Sequence, residues 1–171
     1  MTAALSANRF SLSGQVQAEK NFIDAAVAAG CKYLVKLGTV RSYTSKDSPV
    51  EYARFHAEIE EYLEKTAGAM KWTVLCPNWF MSNHLGDIFG TLPNSIIAYP
   101  LKPDAKATIV DPRDVGDLAA ALLVAPDPSA YHALKLDVNG PEAISLGEIA
   151  GLYTEALGRP VQPVECRHAF S

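Results

Sequence analysis

The feature that most constrains this chain is a helix–strand alternation that occurs twice in its first half. Apolar residues at helical spacing predict a helix over Ser11–Ala29, and a short apolar run predicts a strand over Tyr33–Leu37. The same patterns predict a second helix over about Val50–Thr66 and a strand over Trp72–Leu75. This strand stops at Pro77 because proline has no N–H to donate to a neighbouring strand. Such an alternation with short connections predicts parallel strands joined by right-handed crossovers.

The second half of the chain continues this alternation and supports the α/β fold class. Strands are predicted over Ala107–Val110 and Leu134–Val138, with a helix between them that follows Asp111–Asp114. Ser145 and Glu148 have the capping-box spacing, in which a hydroxyl and a carboxylate satisfy the first amides of a helix. The solvent-facing sides of the first two helices are predicted from their charged residues, namely Glu19, Lys20, Glu58, Glu60, Glu61 and Glu64.

Charge, apolar runs and cysteine spacing exclude several classes of protein. A formal net charge of −4 without a lysine–arginine run argues against a nucleic-acid partner. No apolar run approaches the roughly 20 residues of a membrane span, and no secretory signal is visible, so we expect a cytoplasmic protein without a membrane partner. Cys31, Cys76 and Cys166 form no CxxC pair, so neither a disulfide framework nor a metal site is predicted. The histidines without ligand spacing, interpreted as ordinary surface or core residues, are His84, His132 and His168.

Several segments, taken together and in order, resemble the NmrA-like family of atypical short-chain dehydrogenases. Each is weak alone, and the resemblance covers nearly the whole chain. The segments are Asn21–Ala26 with Ala29–Leu37, Phe55–Leu63, Trp72–Asn83, Val110–Val115 and Asn139–Ser145.

This resemblance implies a Rossmann-type, doubly wound parallel sheet flanked by helices, which binds NAD(P), with NADP somewhat preferred. In that fold a glycine-rich turn and a helix N-terminus hold the pyrophosphate. Neither G-x-G-x-x-G nor G-x-x-G-x-x-G occurs in the 171 residues. We therefore expect a single, incomplete domain over residues 1–171 that lacks the first three strands, starts near the fourth with Thr2–Asn8 as its remnant, and is cut short after Phe170. Negligible dinucleotide affinity is expected of these residues alone.

The resemblance also implies catalytic positions. Short-chain dehydrogenases carry a tyrosine and, four residues later on one helix face, a lysine, with a hydroxyl residue at the preceding strand end. Tyr52, His56 and Thr39 stand at the corresponding places, so Thr39 and His56 are also expected to contact the cofactor. A histidine can donate a proton near neutral pH or contact the nicotinamide ribose. The alternative is that Tyr52 and His56 are packed side chains whose polar tips are hydrogen-bonded.

The loop after the second strand is the other expected ligand contact. In the related fold it lies near the nicotinamide and the substrate, so Pro77 and Asn78 are expected to contact the cofactor. The side chains expected to contact a small-molecule substrate are Trp79, Phe80, Met81 and Asn83. An aromatic cluster is equally typical of a plain core or a partner surface.

Three functions remain open at this stage. The first is an NAD(P)-dependent oxidoreductase acting on a small carbonyl, quinone-like or alkene-containing metabolite, as in secondary-metabolite pathways. The second is a non-catalytic NAD(P)-sensing regulator with a protein partner, since histidine is a poorer ribose clamp than lysine. The third is a truncated product without either activity.

Overall fold

The computed structural model describes residues 3–6 and 14–166, which form two compact units. The first unit comprises the described residues up to Pro77 together with Arg113–Val138, and the second comprises Asn78–Pro112 and the described residues from Asn139 onward. The strands are β1 (Ala3–Ser6), β2 (Tyr33–Leu37), β3 (Lys71–Pro77), β4 (Trp79–Phe80), β5 (Ile96–Tyr99), β6 (Lys106–Val110), β7 (Leu134–Val138), β8 (Ala143–Ser145) and β9 (Gln162–Glu165). The helices are α1 (Gln15–Ala28), α2 (Glu51–Thr66), α3 (Leu85–Phe89), α4 (Pro112–Leu123) and α5 (Leu146–Leu157), and 3-10 turns span Arg41–Tyr43, Met81–His84, Leu92–Asn94 and Pro128–Tyr131.

The first unit contains a four-stranded sheet of order β1-β2-β3-β7 in which every pair is parallel. This confirms the predicted parallel α/β architecture. The strand predicted within Thr2–Asn8 is present as β1, and the rest of that segment lies outside the described residues, as do the first residues of the predicted helix over Ser11–Ala29. β3 extends to Pro77, further than predicted, where it pairs with Val138.

Helices α1 and α2 pack together against this sheet. Their contacts with β2 and β3 form a core in which Ile23, Leu34, Ile59 and Leu63 are fully buried. Both central strands are continuously buried because a parallel sheet is covered on its two faces. The unit is therefore held by helix-on-sheet burial, as the apolar patterns predicted.

The prediction that Glu19 and Glu60 face solvent is wrong, because each is only 3% exposed. Glu19 lies against Lys36 of β2, and Glu60 contacts Lys135 of β7, with N–O distances of 2.6 and 2.8 Å. Helical spacing shows which residues share a face, but it does not show that a lysine of a distant strand lies beneath that face. Tyr52 of the second helix is 44% exposed, so it is not packed as the alternative interpretation of the sequence expects.

The second unit is built from short strand pairs and a separate core. β4 pairs in parallel with β6, β8 pairs antiparallel with β6, and β5 pairs in parallel with β9. The predicted capping box is confirmed at the start of α5, where Ser145 and Glu148 bond each other's backbone amides. Leu92, Ile97 and Leu146 are among the side chains at the centre of this core.

Glycine is required at one point of the second unit. A Cβ atom on Gly140 would lie 1.9 Å from the carbonyl oxygen of Ile109, so the backbone passes β6 too closely for any side chain.

Among residues 3–6 and 14–166, none of the helices combines the length and the apolar character needed to cross a membrane. Within the part of the chain that the structure describes, Cys31, Cys76 and Cys166 form no disulfide bond.

Candidate functional site

The carboxyl edge of the parallel sheet brings Thr39 and Pro77 to neighbouring positions. The Gly38 amide donates to the carbonyl oxygen of Leu75 at 2.8 Å, which extends the β2–β3 ladder by one residue. Half-buried Thr39 therefore leaves β2 beside the end of β3 at buried Pro77. Open α/β sheets bind their ligands beyond this edge, so both residues stand where a ligand is expected.

Tyr52 lies in the first turn of α2 and is partly exposed. Burial of the ring, and then the neighbouring Tyr43, raise the pKa of Tyr52 above its ordinary value of 10.0. A tyrosine that exchanges protons at neutral pH needs its pKa lowered instead. The surroundings of Tyr52 therefore favour the protonated phenol and do not activate it.

His56 is engaged at both ring nitrogens. Its Nδ1 lies 3.3 Å from Nζ of Lys36, and its Nε2 lies 3.3 Å from the carboxamide nitrogen of Gln15. Because an ammonium group can only donate, Nδ1 accepts, and the proton of the neutral ring sits on Nε2. The same carboxamide nitrogen of Gln15 donates to Glu19 at 3.1 Å, so Gln15 lies between Nε2 of His56 and the Glu19 carboxylate.

The charge state of His56 follows from the same surroundings. Burial, and next the positive charge of Lys36, lower the pKa of His56 from 6.5 to about 4, while Glu19 partly opposes this change. The ring is therefore neutral at pH 7 and carries one proton, on Nε2. A cofactor or substrate can reach that proton only if Gln15 gives way. This geometry resembles the alternative in which the polar tips of His56 are hydrogen-bonded within the protein.

The residue that sequence reasoning missed beside His56 is Lys36. It is fully buried, and its ammonium group donates to Glu19 at 2.6 Å, to the carbonyl oxygen of Leu37 at 3.0 Å and to His56. A buried ion pair of this kind stabilises little by itself, but losing one partner costs about 3–5 kcal/mol. The available signal was a lone lysine inside an otherwise apolar strand.

Asn78, at the start of the second unit, has structural partners at both ends of its carboxamide. Its Nδ2 donates to the Thr108 hydroxyl at 2.7 Å, and its Oδ1 accepts from the Trp79 amide at 2.9 Å. The Thr108 hydroxyl in turn donates to Asn139 at 2.7 Å. This relay ties the Asn78 loop to β6 and to the segment that follows β7, and it leaves one N–H of Asn78 for a ligand.

The four predicted substrate contacts differ in how deeply they are buried. Trp79 and Phe80 are half-buried, whereas Met81 and Asn83 are exposed, Met81 by 53%. The structure thus brings Trp79 into the second unit's interior and leaves Met81 and Asn83 at the surface.

Trp79 meets a histidine and a tyrosine that were not assigned to a site. Its ring stacks on His84 with the centroids 5.3 Å apart and contacts Tyr99 at 4.4 Å. Nδ1 of His84 lies 2.8 Å from the carboxylate of Asp87. In this region Nε1 of Trp79 and Nε2 of His84 are buried without a hydrogen-bond partner, each at a cost of about 1–3 kcal/mol. The i, i+3 spacing of His84 and Asp87 was the only sequence signal.

Cys76 precedes the ligand-side loop but is not a reactive thiol. Its side chain is buried. Burial first, and then the carboxylates of Glu60 and Asp137, raise the pKa of Cys76 to about 12. The group stays protonated at neutral pH, and a protonated thiol is a poor nucleophile.

A model of the NmrA-like family matches residues 2–168. The NAD(P)H azoreductase of Xenophilus azovorans is 32% identical over 150 residues, which are 88% of this chain and 50% of that protein. The (4-alkanoyl-5-oxo-2,5-dihydrofuran-3-yl)methyl phosphate reductase of Streptomyces griseus is 33% identical over 138 residues, which are 81% and 46% of the two chains. The chain thus spans about half the length of the curated relatives it matches.

Among solved structures, the NADPH-dependent quinone oxidoreductase QOR2 of Escherichia coli, in complex with NADPH, is similar with a TM-score of 0.79. The sequence identity is 21%, and the match covers 96% of this chain and 54% of that one. This likeness shows the fold.

Proposed function

Because this chain belongs to the NmrA-like family, we propose that it forms the nicotinamide and substrate side of an NAD(P)-dependent reductase. The substrate class is a small carbonyl, quinone-like or alkene-containing metabolite, and the cofactor is NAD(P). The two relatives above 30% identity are both named as reductases, and one name includes NAD(P)H. The observation that carries the proposal is the carboxyl edge of the sheet, where Thr39 and Pro77 leave paired strands side by side.

The residues at this edge are suited to the nicotinamide end of such a cofactor. When bound, the reduced nicotinamide supplies a hydride. The hydroxyl of Thr39 orients the substrate by a hydrogen bond to its polar atom. His56, once Gln15 has moved, donates its Nε2 proton to a ribose hydroxyl, and Lys36 keeps that proton on Nε2 by occupying Nδ1. No glycine spacing in the sequence suits the diphosphate, so none of these residues is assigned to the phosphates.

The test compares whole and truncated cofactors. If these residues recognise only the nicotinamide end, reduced nicotinamide mononucleotide and NADPH should be oxidised with similar kcat/KM, because no adenine contact distinguishes them. Loss of dihydronicotinamide absorbance is followed with quinones, azo dyes and small ketones as acceptors. An NADPH preference above ten-fold would instead show that the residues hold the diphosphate.

Thr39→Val tests whether the hydroxyl at the carboxyl edge of the sheet forms a hydrogen bond with the substrate. We expect kcat/KM to fall about ten-fold, the value of one lost hydrogen bond. Thr66→Val, at the far end of α2, is the matched control. Folded protein that turns over no acceptor with either cofactor would contradict the reductase proposal.

A non-catalytic NAD(P)-sensing role is the second candidate. It is favoured by the neutral, doubly engaged His56 and by the raised pKa of Tyr52. Calorimetry that finds nucleotide binding and a protein partner, without redox turnover, would support this role over the first.

A further inference from the structure

A second group of polar and aromatic side chains lies within the second unit. One of them, Trp79, is an expected substrate contact, but the reaction steps proposed above give none of them a role. We call Trp79, His84, Asp87 and Tyr99 the Trp79 cluster. They come from β4, the turn Met81–His84, α3 and β5. Aromatic contacts join the three rings, with centroids 4.4 to 5.4 Å apart, and Asp87 is buried beside them.

The hydrogen bonds fix where the protons of the cluster sit. Tyr99 donates to the two carboxylate oxygens of Asp87 at 3.0 and 3.1 Å. Burial, and then Asp87, raise the pKa of Tyr99, so its hydroxyl stays protonated. Asp87 also accepts a hydrogen bond from Nδ1–H of His84 at 2.8 Å. Since Nδ1 carries this proton, Nε2 is the nitrogen of His84 that is left for another molecule.

Two polar atoms of the cluster are enclosed without a partner: Nε1 of Trp79 and Nε2 of His84. The two rings are inclined by only 16°, so their hydrogen-bonding directions lie in nearly parallel planes. Buried polar groups are otherwise almost always bonded to protein, water or a ligand. Two such atoms on one stacked pair indicate a place for an additional molecule.

We propose that Nε1 of Trp79 and Nε2 of His84 bind the carbonyl or hydroxyl oxygen of a small apolar molecule within the second unit. An indole N–H can only donate, so the bound atom must accept from Trp79. A hydroxyl also donates to neutral His84, and a carbonyl accepts from protonated His84. An ammonium group cannot accept, and a carboxylate would meet the negative charge of Asp87. The stacked Trp79 ring and the ring of Tyr99 provide the apolar surroundings.

The site is close to solvent although the two atoms are enclosed. His84 directly follows Met81, Ser82 and Asn83, all of which are exposed. The side chain of His84 is itself 12% exposed.

Binding is measured without nucleotide, so the result does not depend on the proposed reductase activity. The protein is labelled with nitrogen-15 and titrated with phenol and acetophenone, and with toluene and ethylbenzene as their oxygen-free counterparts. We expect phenol and acetophenone to shift the Trp79 indole N–H signal, which Trp79→Phe identifies, and to bind at least ten-fold more tightly than the counterparts.

Variants separate the two contacts from general packing. Trp79→Phe keeps an aromatic ring, and His84→Asn keeps a donor near Asp87 but removes the position of Nε2. Each should weaken phenol binding at least ten-fold, whereas Trp72→Phe in the first unit should not change it. If one variant fails to fold, the other and the phenol–toluene comparison decide.

Three outcomes would overturn the proposal. The first is equal binding of phenol and toluene, and the second is unchanged affinity in a folded Trp79→Phe or His84→Asn protein. The third is an indole N–H signal that exchanges magnetisation with a buried water and does not respond to any probe, which would assign the two atoms to an internal water only.

Discussion

Acid should destabilise the first unit through His56. The histidine has a pKa of 6.5 when unfolded and of about 4 in its half-buried place beside Lys36. Between these values the unfolded chain binds a proton that the folded chain does not, so unfolding becomes easier as the pH falls. The stability from the neutral ring is complete above pH 6.5 and is lost towards pH 4. The gap between 6.5 and about 4, at about 1.4 kcal/mol per pH unit, gives about 3–4 kcal/mol. About 3 kcal/mol of this is lost by pH 4, where the folded ring is half-protonated.

The assay is urea unfolding at several pH values between 7 and 4, for the parent protein and for His56→Gln. Glutamine occupies a similar volume and can accept from Lys36, but it does not titrate in this range. The free energy of unfolding of the parent should fall by about 3 kcal/mol more than that of the variant. His132→Gln, at an exposed histidine of the same unit, controls for the loss of a histidine as such.

A proton NMR titration of the His56 ring reads the pKa directly. Lys36→Met removes the positive charge that is the second cause of the lowered pKa, so the pKa of His56 should rise in that variant. A His56 pKa near 6.5 in the folded parent, or equal pH dependence of parent and His56→Gln, would refute the reasoning.

Three further outcomes are expected. Gly140→Ala places a Cβ against a carbonyl oxygen of β6 and should lower the free energy of unfolding by about 3 kcal/mol. Gly116→Ala, in open space within α4, should raise the free energy of unfolding by about 0.5–1 kcal/mol. Comparable urea midpoints for the two variants would contradict this. Cys76, with a pKa of about 12, should react with a thiol reagent orders of magnitude more slowly than half-buried Cys166, as mass spectrometry of partly modified protein would show. Ser145→Ala removes the capping-box acceptor of α5 and should cost about 1 kcal/mol in thermal unfolding, and an unchanged midpoint would mean that the cap contributes nothing.

Local sequence pattern was sufficient for most elements of the first unit. The bounds of β2 and β7 agree with those predicted, and α2 begins one residue later than predicted. Helix and strand periodicity depend on neighbours within a few residues, and that information is present in the chain itself. The capping box at Ser145 was predictable for the same reason.

The short strands of the second unit were not predictable in this way. β4 has two residues and β8 has three, which is too few for an alternating pattern to be recognised. Their pairing with β6 is decided by contacts between segments far apart in the chain.

For the candidate sites, the sequence by itself determined the carboxyl edge, since Thr39 and Pro77 each follow a recognisable strand. Only the tertiary structure decided the charge and the contacts of the side chains. Lys36 neutralises Glu19 and holds His56 neutral because helix packing brings three distant residues together away from water, where their interactions are strong. Folding also decides the state of Trp79 and His84. It encloses one ring nitrogen of each without a hydrogen-bond partner.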